Sequence, residues 1–191
     1  MQPPESGYLE VALKIGVDVA HTKVGQEFQA EALETWIIDD CTLPQGAKVY
    51  GKVVAATRHT KSSPDSTLGL LIESIDCQGH PRTPFSLHIL EVIIPGYRNP
   101  VSSALPIHGD SAEAGEDASI MGRGARTDSE SRVGQVVGEG GMRLEIAEGP
   151  NFADVVHSDK RNVSLLTGTR LVLGTKEMIP ADQLLHLQPA G

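Results

Sequence analysis

The fold is decided by two apolar stretches, Lys48-Val-Tyr-Gly-Lys-Val-Val-Ala-Ala-Thr57 and Thr67-Leu-Gly-Leu-Leu-Ile-Glu-Ser-Ile75, which are separated by the polar loop 58–66. Both stretches are rich in β-branched and aliphatic residues, and two such runs joined by a short polar loop are typical of a β-hairpin. Gly51 interrupts the first run and is expected to mark a bulge or a close backbone approach.

The strand pattern continues on both sides of this hairpin. In residues 8–15, alternate positions are apolar: Leu9, Val11, Leu13 and Ile15. Residues 27–33 alternate with Glu27, Gln29 and Glu31 directed outward, and helix is the alternative there because these residues are good helix formers. Residues 83–93 form a further predicted strand. Strands at intervals of about 8–12 residues favour a sandwich or a barrel.

Residues typical of turns lie between these predicted strands. Pro44 presets φ and Gly46 permits a positive φ in the predicted turn Leu43-Pro-Gln-Gly46. Gly168 and Thr169 form a second turn, before a short apolar run at 170–173. We expect that run to pair with the N-terminal strands and to complete their sheet.

The sequence therefore predicts an all-β protein, a small six- or seven-stranded barrel or barrel-like sandwich, with a long flexible insertion before the last strand. Glycine, serine and acidic residues dominate the insertion, where burial would not offset the cost of ordering the chain. The predicted organisation is a disordered tail (1–7), a barrel core (8–95), the insertion (96–160), a returning strand (161–176) and a C-terminal tail with one or two helical turns (177–191).

The composition of the chain argues against some classes of function. The chain has 191 residues, 16 basic against 25 acidic, for a formal net charge of −9. A general nucleic-acid binder needs clustered Lys and Arg, so nucleic acid is not an expected partner. No apolar run is long enough for a membrane-spanning helix. The first residues lack the pattern of a signal peptide, so we expect a periplasmic or other extracytoplasmic location if a leader was trimmed, and a cytoplasmic one otherwise.

Four short segments together carry a family resemblance: Val24-Gly-Gln-Glu-Phe-Gln-Ala30, Leu43-Pro-Gln-Gly-Ala-Lys-Val-Tyr-Gly-Lys-Val53, Leu70-Leu-Ile-Glu-Ser-Ile-Asp76 and Gly168-Thr-Arg-Leu-Val-Leu173. They resemble the β-barrel domain of TrbI-like scaffold proteins of bacterial conjugation and type IV secretion channels, and a looser group of bacterial envelope barrels. The likeness covers about residues 8–95 and 161–175. It implies a structural or assembly role, with no catalytic residues to carry over.

Several polar residues are candidates for chemistry. His108 and Asp110, and likewise His157 and Asp159, repeat a His-x-Asp spacing that places both side chains on one face of an extended chain, where they could bind a metal. Loop polarity explains the same residues. No nucleotide-binding glycine motif occurs, and no cofactor is expected.

The predicted hairpin indicates how close the two cysteines can come to each other. Its open end lies near residues 47 and 77, and Cys41 precedes that end by six residues. Cys41 and Cys77 could therefore approach within the Cα spacing of a disulfide, about 5.5–6 Å. The alternative is two small buried thiols.

The expected function is a non-enzymatic structural or interaction module of a bacterial cell envelope, whose partners are other proteins or copies of itself. Two alternatives stay open: a barrel that binds a small ligand or metal through loop histidines, and a hydrolase with loop-borne residues.

Overall fold

The computed structural model describes residues 7–38, 40–96, 133–138, 141–147 and 153–175, and within them every regular element is a strand. No helix in this described part is long and apolar enough to cross a bilayer. The strands are β1 (Leu9–Leu13), β2 (Val17–Asp18), β3 (Glu27–Ala32), β4 (Trp36–Ile38), β5 (Cys41–Leu43), β6 (Lys48–Thr57), β7 (Ser66–Cys77), β8 (His80–Ile93), β9 (Gln135–Val137), β10 (Met142–Glu145), β11 (Asp154–Ser158), β12 (Ser164–Leu165) and β13 (Arg170–Gly174).

Six of these strands form a closed antiparallel barrel, which confirms the predicted fold class. Their order is β1–β3–β6–β7–β8–β13, and β13 closes the ring because it pairs with both β8 and β1. The hairpin β6–β7 has its loop at 58–65, one residue shorter than the predicted loop 58–66, because β7 begins at Ser66. Residues 170–173 pair with the N-terminal strands as expected. Closure protects most of the strand edges that a small β protein otherwise exposes, and β9, β10 and the start of β8 keep a free edge within the described residues.

The core is almost entirely aliphatic. Its members are fully or nearly fully buried, among them Leu9, Val11, Leu13, Val49, Val53, Leu70, Ile75, Ile89, Leu171 and Leu173. Phe28 adds an aromatic ring that lies against the backbone of Gly51, where a Cβ would lie 2.2 Å from the ring Cζ. Gly51 therefore serves the close approach that the sequence indicated, and the register of β6 shifts beside it.

Two strand predictions need comment. Residues 27–32 are a strand with Phe28, Ala30 and Ala32 buried, so helix was the wrong alternative for this segment. The first strand ends at Leu13, and Ile15 is not part of its buried face. The chain bends at Lys14 and Ile15, just before Gly16, where an added Cβ would lie 2.9 Å from the backbone oxygen of Leu165, and Ile15 is 74% exposed.

The interval 96–160 needs a correction at its C-terminal end. Strand β11 pairs with the first half of β7, β10 pairs with β11, and β9 runs parallel to the end of β8. Val133, Leu144, Ile146 and Val156 are buried, so this part adds to the core although its glycine content suggested otherwise. The predicted tail over 1–6, the segment 97–132 and the helical turns after Pro180 lie outside the described residues.

Candidate functional site

The barrel has two chemically different ends. Strand β3 runs from one end, near Glu27, to the other, near Ala32, and its neighbours β1 and β6 run antiparallel to it. We call the first the basic end; it consists of residues 14–26, the loop 58–65 and the turn 166–168. We call the second the disulfide end; it consists of the β4–β5 hairpin, the Cys41–Cys77 bridge and residues 80–85.

The disulfide joins a separate small sheet to the barrel. Strands β4 and β5 pair with each other rather than with the main sheet. The Cys41–Cys77 bridge, with a Cα–Cα distance of 5.3 Å, ties this hairpin to the end of β7. Beside it, the N–H of Gln78 donates to the carbonyl of Thr42 at 2.8 Å. Trp36 is buried and meets the ring of Phe85 edge-on, with 6.1 Å between centroids. The hairpin is thus fixed over one end of the barrel.

A groove of about 600 Å³ lies between this hairpin and β8. Its apolar wall comes from Ile38, Pro81, Pro84 and Phe85, and the disulfide forms part of its floor. Its polar groups belong to Asp40, His80, Arg82 and Thr83. Proline cannot donate to a sheet ladder, so the two prolines mark this part of β8 as an edge that resists pairing with another strand. Recognition in the groove would therefore depend on side chains.

Arg82 is held in an unusual conformation next to the groove. Among the described residues other than glycine, it alone has a positive φ, of 52°. Its N–H donates to Asp76 Oδ1 at 2.9 Å, and its guanidinium lies 4.2 Å from the centroid of the Tyr50 ring. The Tyr50 hydroxyl donates to Asp76 Oδ2 at 3.1 Å. Burial, together with the Asp76 carboxylate, raises the pKa of Tyr50, which keeps the phenol protonated as a donor.

A buried polar cluster lies where β8 leaves β7. Asp154 Oδ1 is 3.1 Å from His88 Nδ1 and accepts the N–H of Ala147 at 3.0 Å. Asp154 Oδ2 accepts the N–H of Ile89 at 2.6 Å. Both side chains are at most 4% exposed. The arrangement joins three segments of chain, and it has no open face toward solvent where a substrate could bind.

The basic end carries exposed aliphatic residues on three turns. Ile15 is 74% exposed, Val24 63% and Leu166 55%. Arg58 anchors the loop 58–65 to this end because its guanidinium donates to the carbonyls of Val19 and Ala20. The exposure of Val24 and Leu166 was not predicted from the sequence, since short loops with one aliphatic residue carry no periodic signal, and Ile15 was assigned to the apolar face of the first strand.

Asp18 organises the turn after β2. Its Oδ1 accepts the N–H groups of Ala20 and His21 and lies 2.9 Å from His21 Nδ1. Burial alone would raise the pKa of Asp18, but the His21 side chain and these N–H donors hold the pKa below its ordinary value. The carboxylate is therefore ionised at neutral pH and is engaged within its own turn.

The proposed metal ligands do not form a metal site in the described part of the chain. His157 Nε2 lies 2.9 Å from Glu145 Oε2, and His157 and Asp159 line a small cleft of about 210 Å³ together with Asp65. Within the described ranges, no group of three His, Cys, Asp or Glu side chains is arranged to hold a metal ion. His108 and Asp110 lie outside the described residues.

The predicted turn residues occupy turns. Gly46 has a φ of 81° and Gly168 a φ of 82°, both in the left-handed region that favours glycine. The carbonyl of Pro44 accepts the N–H of Ala47, which closes the first turn. Thr169 is fully buried, and its backbone carbonyl accepts the N–H of Leu13 at 2.9 Å. These residues shape the backbone.

Comparison with known proteins places no relative beside this chain: no protein-family model, no curated protein and no solved structure matches it. The likeness to TrbI-like barrels accordingly stays a prediction from the sequence.

Proposed function

We propose that this chain is a non-enzymatic structural module of a bacterial cell envelope, and that its disulfide end contacts further copies of the same chain. Aliphatic side chains such as Leu13, Leu70 and Leu171 fill the interior of the barrel. This filling supports a function that is carried by the outer surface of the barrel. Contacts with other molecules must then be made at the ends or on the outer faces of the strands.

The Cys41–Cys77 bridge supports the envelope location. Disulfides persist in oxidising compartments such as the bacterial periplasm, and they are rare where thioredoxin and glutathione keep thiols reduced. The bridge here lies in a structural position, between a small hairpin and the barrel. Such a bridge stabilises the disulfide end in the compartment where a scaffold of the envelope works.

The groove at the disulfide end is the observation that carries the proposal. It combines an apolar wall with a few polar groups, and Ile37, on the opposite face of β4 from the groove-lining Ile38, is 51% exposed. Aromatic residues and Arg are enriched in protein interfaces, and Phe85 and Arg82 supply both here. In a two-fold interface the same surface serves both copies, so the proposed contact pairs the groove of each copy with the exposed Ile37 on the same hairpin of the other.

The mass in solution tests this proposal. Light scattering after size exclusion, over a concentration series, should show a defined multimer of the 20.3 kDa chain that dissociates on dilution. Ile37→Asp should shift the protein to the monomer, because a carboxylate would be placed in the contact. Val24→Asp is the matched control, since it changes another exposed aliphatic residue, 63% exposed against 51% for Ile37, at the basic end and should leave the mass unchanged.

Two outcomes of this experiment would contradict the proposal. A monomer at all concentrations would overturn self-association as the function of this end. A multimer that dissociates with Val24→Asp and persists with Ile37→Asp would also contradict the proposal, because it would locate the contact at the other end.

A further inference from the structure

We propose that the basic end of the barrel docks on the surface of an anionic phospholipid bilayer, as a peripheral contact that does not span it. This inference goes beyond the proposed function and does not rest on it. The contact would use the aliphatic tips of three turns and the lysines beside them.

The aliphatic tips form a group. Ile15 and Leu166 are on adjacent turns, because an added Cβ on Gly16 would lie 3.4 Å from the carbonyl carbon of Leu166. The N–H of Gly16 also donates to Thr167 Oγ1 at 3.1 Å. Val24 immediately precedes Gly25, whose N–H donates to the carbonyl of Val53 at 2.7 Å. The three tips therefore project from the same end of the barrel.

The turns that carry these tips are fixed by backbone hydrogen bonds. The N–H of Gly168 donates to the carbonyl of Leu13, and the N–H of Leu13 donates to the carbonyl of Thr169, both at 2.9 Å. The side chains at the tips cannot turn back into a core that is already filled. Their exposure is thus a property of the folded barrel, and it leaves three large apolar groups in water on a small surface.

The charge at this end is opposite to that of the whole chain. Lys14, Lys23, Arg58 and Lys61 lie there, whereas the chain carries a net charge of −9. Lys14 pairs with Glu31. Lys23 and Lys61 are exposed and make no ion pair with any residue that the structure describes. Lysines beside apolar tips match an anionic bilayer, since their stems lie along the acyl boundary while the ammonium groups reach the headgroups.

The acidic side chains that the structure describes at this end do not offset its positive charge toward an anionic bilayer. The Asp18 carboxylate already accepts two backbone N–H groups within its own turn. Asp65 lies at the far end of the loop 58–65, where it lines the cleft with Arg143 and His157. Asp159, in the same cleft, is followed by Lys160 and Arg161.

The shape of this end favours a bilayer over a protein partner. A stable protein interface needs a continuous complementary patch of about 800 Å² on each side. The tips here are single side chains on separate turns, with polar backbone and lysines between them. A bilayer surface is deformable and accepts separate insertions without a complementary shape, so such tips can each enter the headgroup region.

Vesicle flotation tests the inference with the whole chain. The protein should float with vesicles of phosphatidylcholine that contain about three parts in ten phosphatidylglycerol, and much less with phosphatidylcholine alone. Raising the salt from about 0.1 M to about 1 M should release it, because screening then acts within about 3 Å. Circular dichroism and solution mass are recorded for every variant to show that folding and assembly are unchanged.

Single substitutions separate the two contributions. Lys23→Gln and Lys61→Gln should each reduce partitioning about fivefold, the effect of about one basic residue near an anionic surface. Ile15→Asp should reduce it at least tenfold at about 0.1 M salt, because an inserted aliphatic group is lost. Leu33→Asp, at a 37% exposed aliphatic residue directly after β3 and outside both ends of the barrel, is the matched control and should leave partitioning unchanged.

Two results would overturn the inference. One is equal flotation with neutral and anionic vesicles, or none with either. The other is an Ile15→Asp protein that binds vesicles like the wild type but loses a multimeric state in light scattering, which would assign this end to a second copy of the chain.

Discussion

The carboxylate of Asp154 accepts the backbone N–H of Ile89 at 2.6 Å, across 65 residues of sequence. Strand β7 pairs with β8 as far as Leu87, and its first half pairs with β11, which begins at Asp154. The main sheet therefore branches here. A branch leaves backbone donors without a neighbouring strand, and a buried carboxylate supplies the acceptor that the ladder cannot.

Replacing this carboxylate should destabilise the protein strongly. Asp154→Ala would leave the N–H groups of Ile89 and Ala147 and the ring of His88 without their acceptor in a buried place. We expect a loss of about 3 kcal/mol in the free energy of unfolding, because each unsatisfied buried donor costs about 1–3 kcal/mol. Urea unfolding at neutral pH measures the loss. Asp159→Ala, at an exposed carboxylate, is the control and should change the free energy by less than about 0.5 kcal/mol. Equal losses for both variants would contradict the role given to Asp154.

The contact of Phe28 with Gly51 gives a second prediction. A Cβ at position 51 would lie 2.2 Å from Phe28 Cζ and 2.8 Å from the carbonyl oxygen of Leu71. Gly51→Ala should therefore cost about 1–3 kcal/mol of unfolding free energy through overpacking.

A double-mutant cycle tests the cause of that loss. Phe28→Leu removes the outer ring atoms and should cost about 1 kcal/mol alone, but it should recover part of the Gly51→Ala loss when the two are combined. Strictly additive losses, measured by urea unfolding of the four proteins, would show that the ring is not what excludes a side chain at position 51.

The barrel strands could be predicted from the sequence because their chemistry is local. Alternation of Leu9, Val11 and Leu13 with polar residues indicates one buried face, and Gly46 and Gly168 indicate turns that require a positive φ. The hairpin β6–β7 then brings Cys41 near Cys77, which is where the structure has its disulfide. The signals for strands and turns are local, and the proximity of the cysteines follows from the hairpin that those signals predict.

The branch and the two barrel ends could not be predicted in the same way. Asp154 acts on partners that are far away in sequence, and a single Asp before Val155 and Val156 has the appearance of an ordinary loop residue. Strand β11 follows a glycine-rich segment whose composition indicated disorder. Ile15 continued the alternation of β1 and was expected on its apolar face, but the strand ends at Leu13 and the bend at Lys14 and Ile15 leaves this side chain exposed. Such features depend on which strands meet, and a pattern along one strand does not contain that information.

The disulfide should contribute much of the stability of its end. Cys41 and Cys77 are 36 residues apart, and closing a loop of this length in the unfolded chain corresponds to about 4 kcal/mol. Reduction should lower the urea midpoint, and Trp36, the single tryptophan, reports the hairpin by its fluorescence. The Cys41→Ser, Cys77→Ser double variant should unfold at this lower midpoint with or without reductant. If reduced wild-type protein has two titratable thiols and an unchanged midpoint, the bridge does not stabilise the fold.

The turn around Asp18 should give the protein a specific response to acid. The pKa of this carboxyl in the folded protein is below its ordinary value of 3.8, so the folded state binds a proton less readily than the unfolded chain does. The stability that Asp18 contributes is therefore fully present above about pH 4 and is lost as the pH falls through the lowered folded pKa. Asp18→Asn should remove this part of the pH dependence, so the difference in unfolding free energy between wild type and variant should shrink on acidification. His21→Ala should move the carboxyl pKa, read from the Asp18 side-chain NMR signal, back toward its ordinary value. An Asp18 pKa that is the same in both proteins would show that the backbone donors of Ala20 and His21 hold it down without the imidazole.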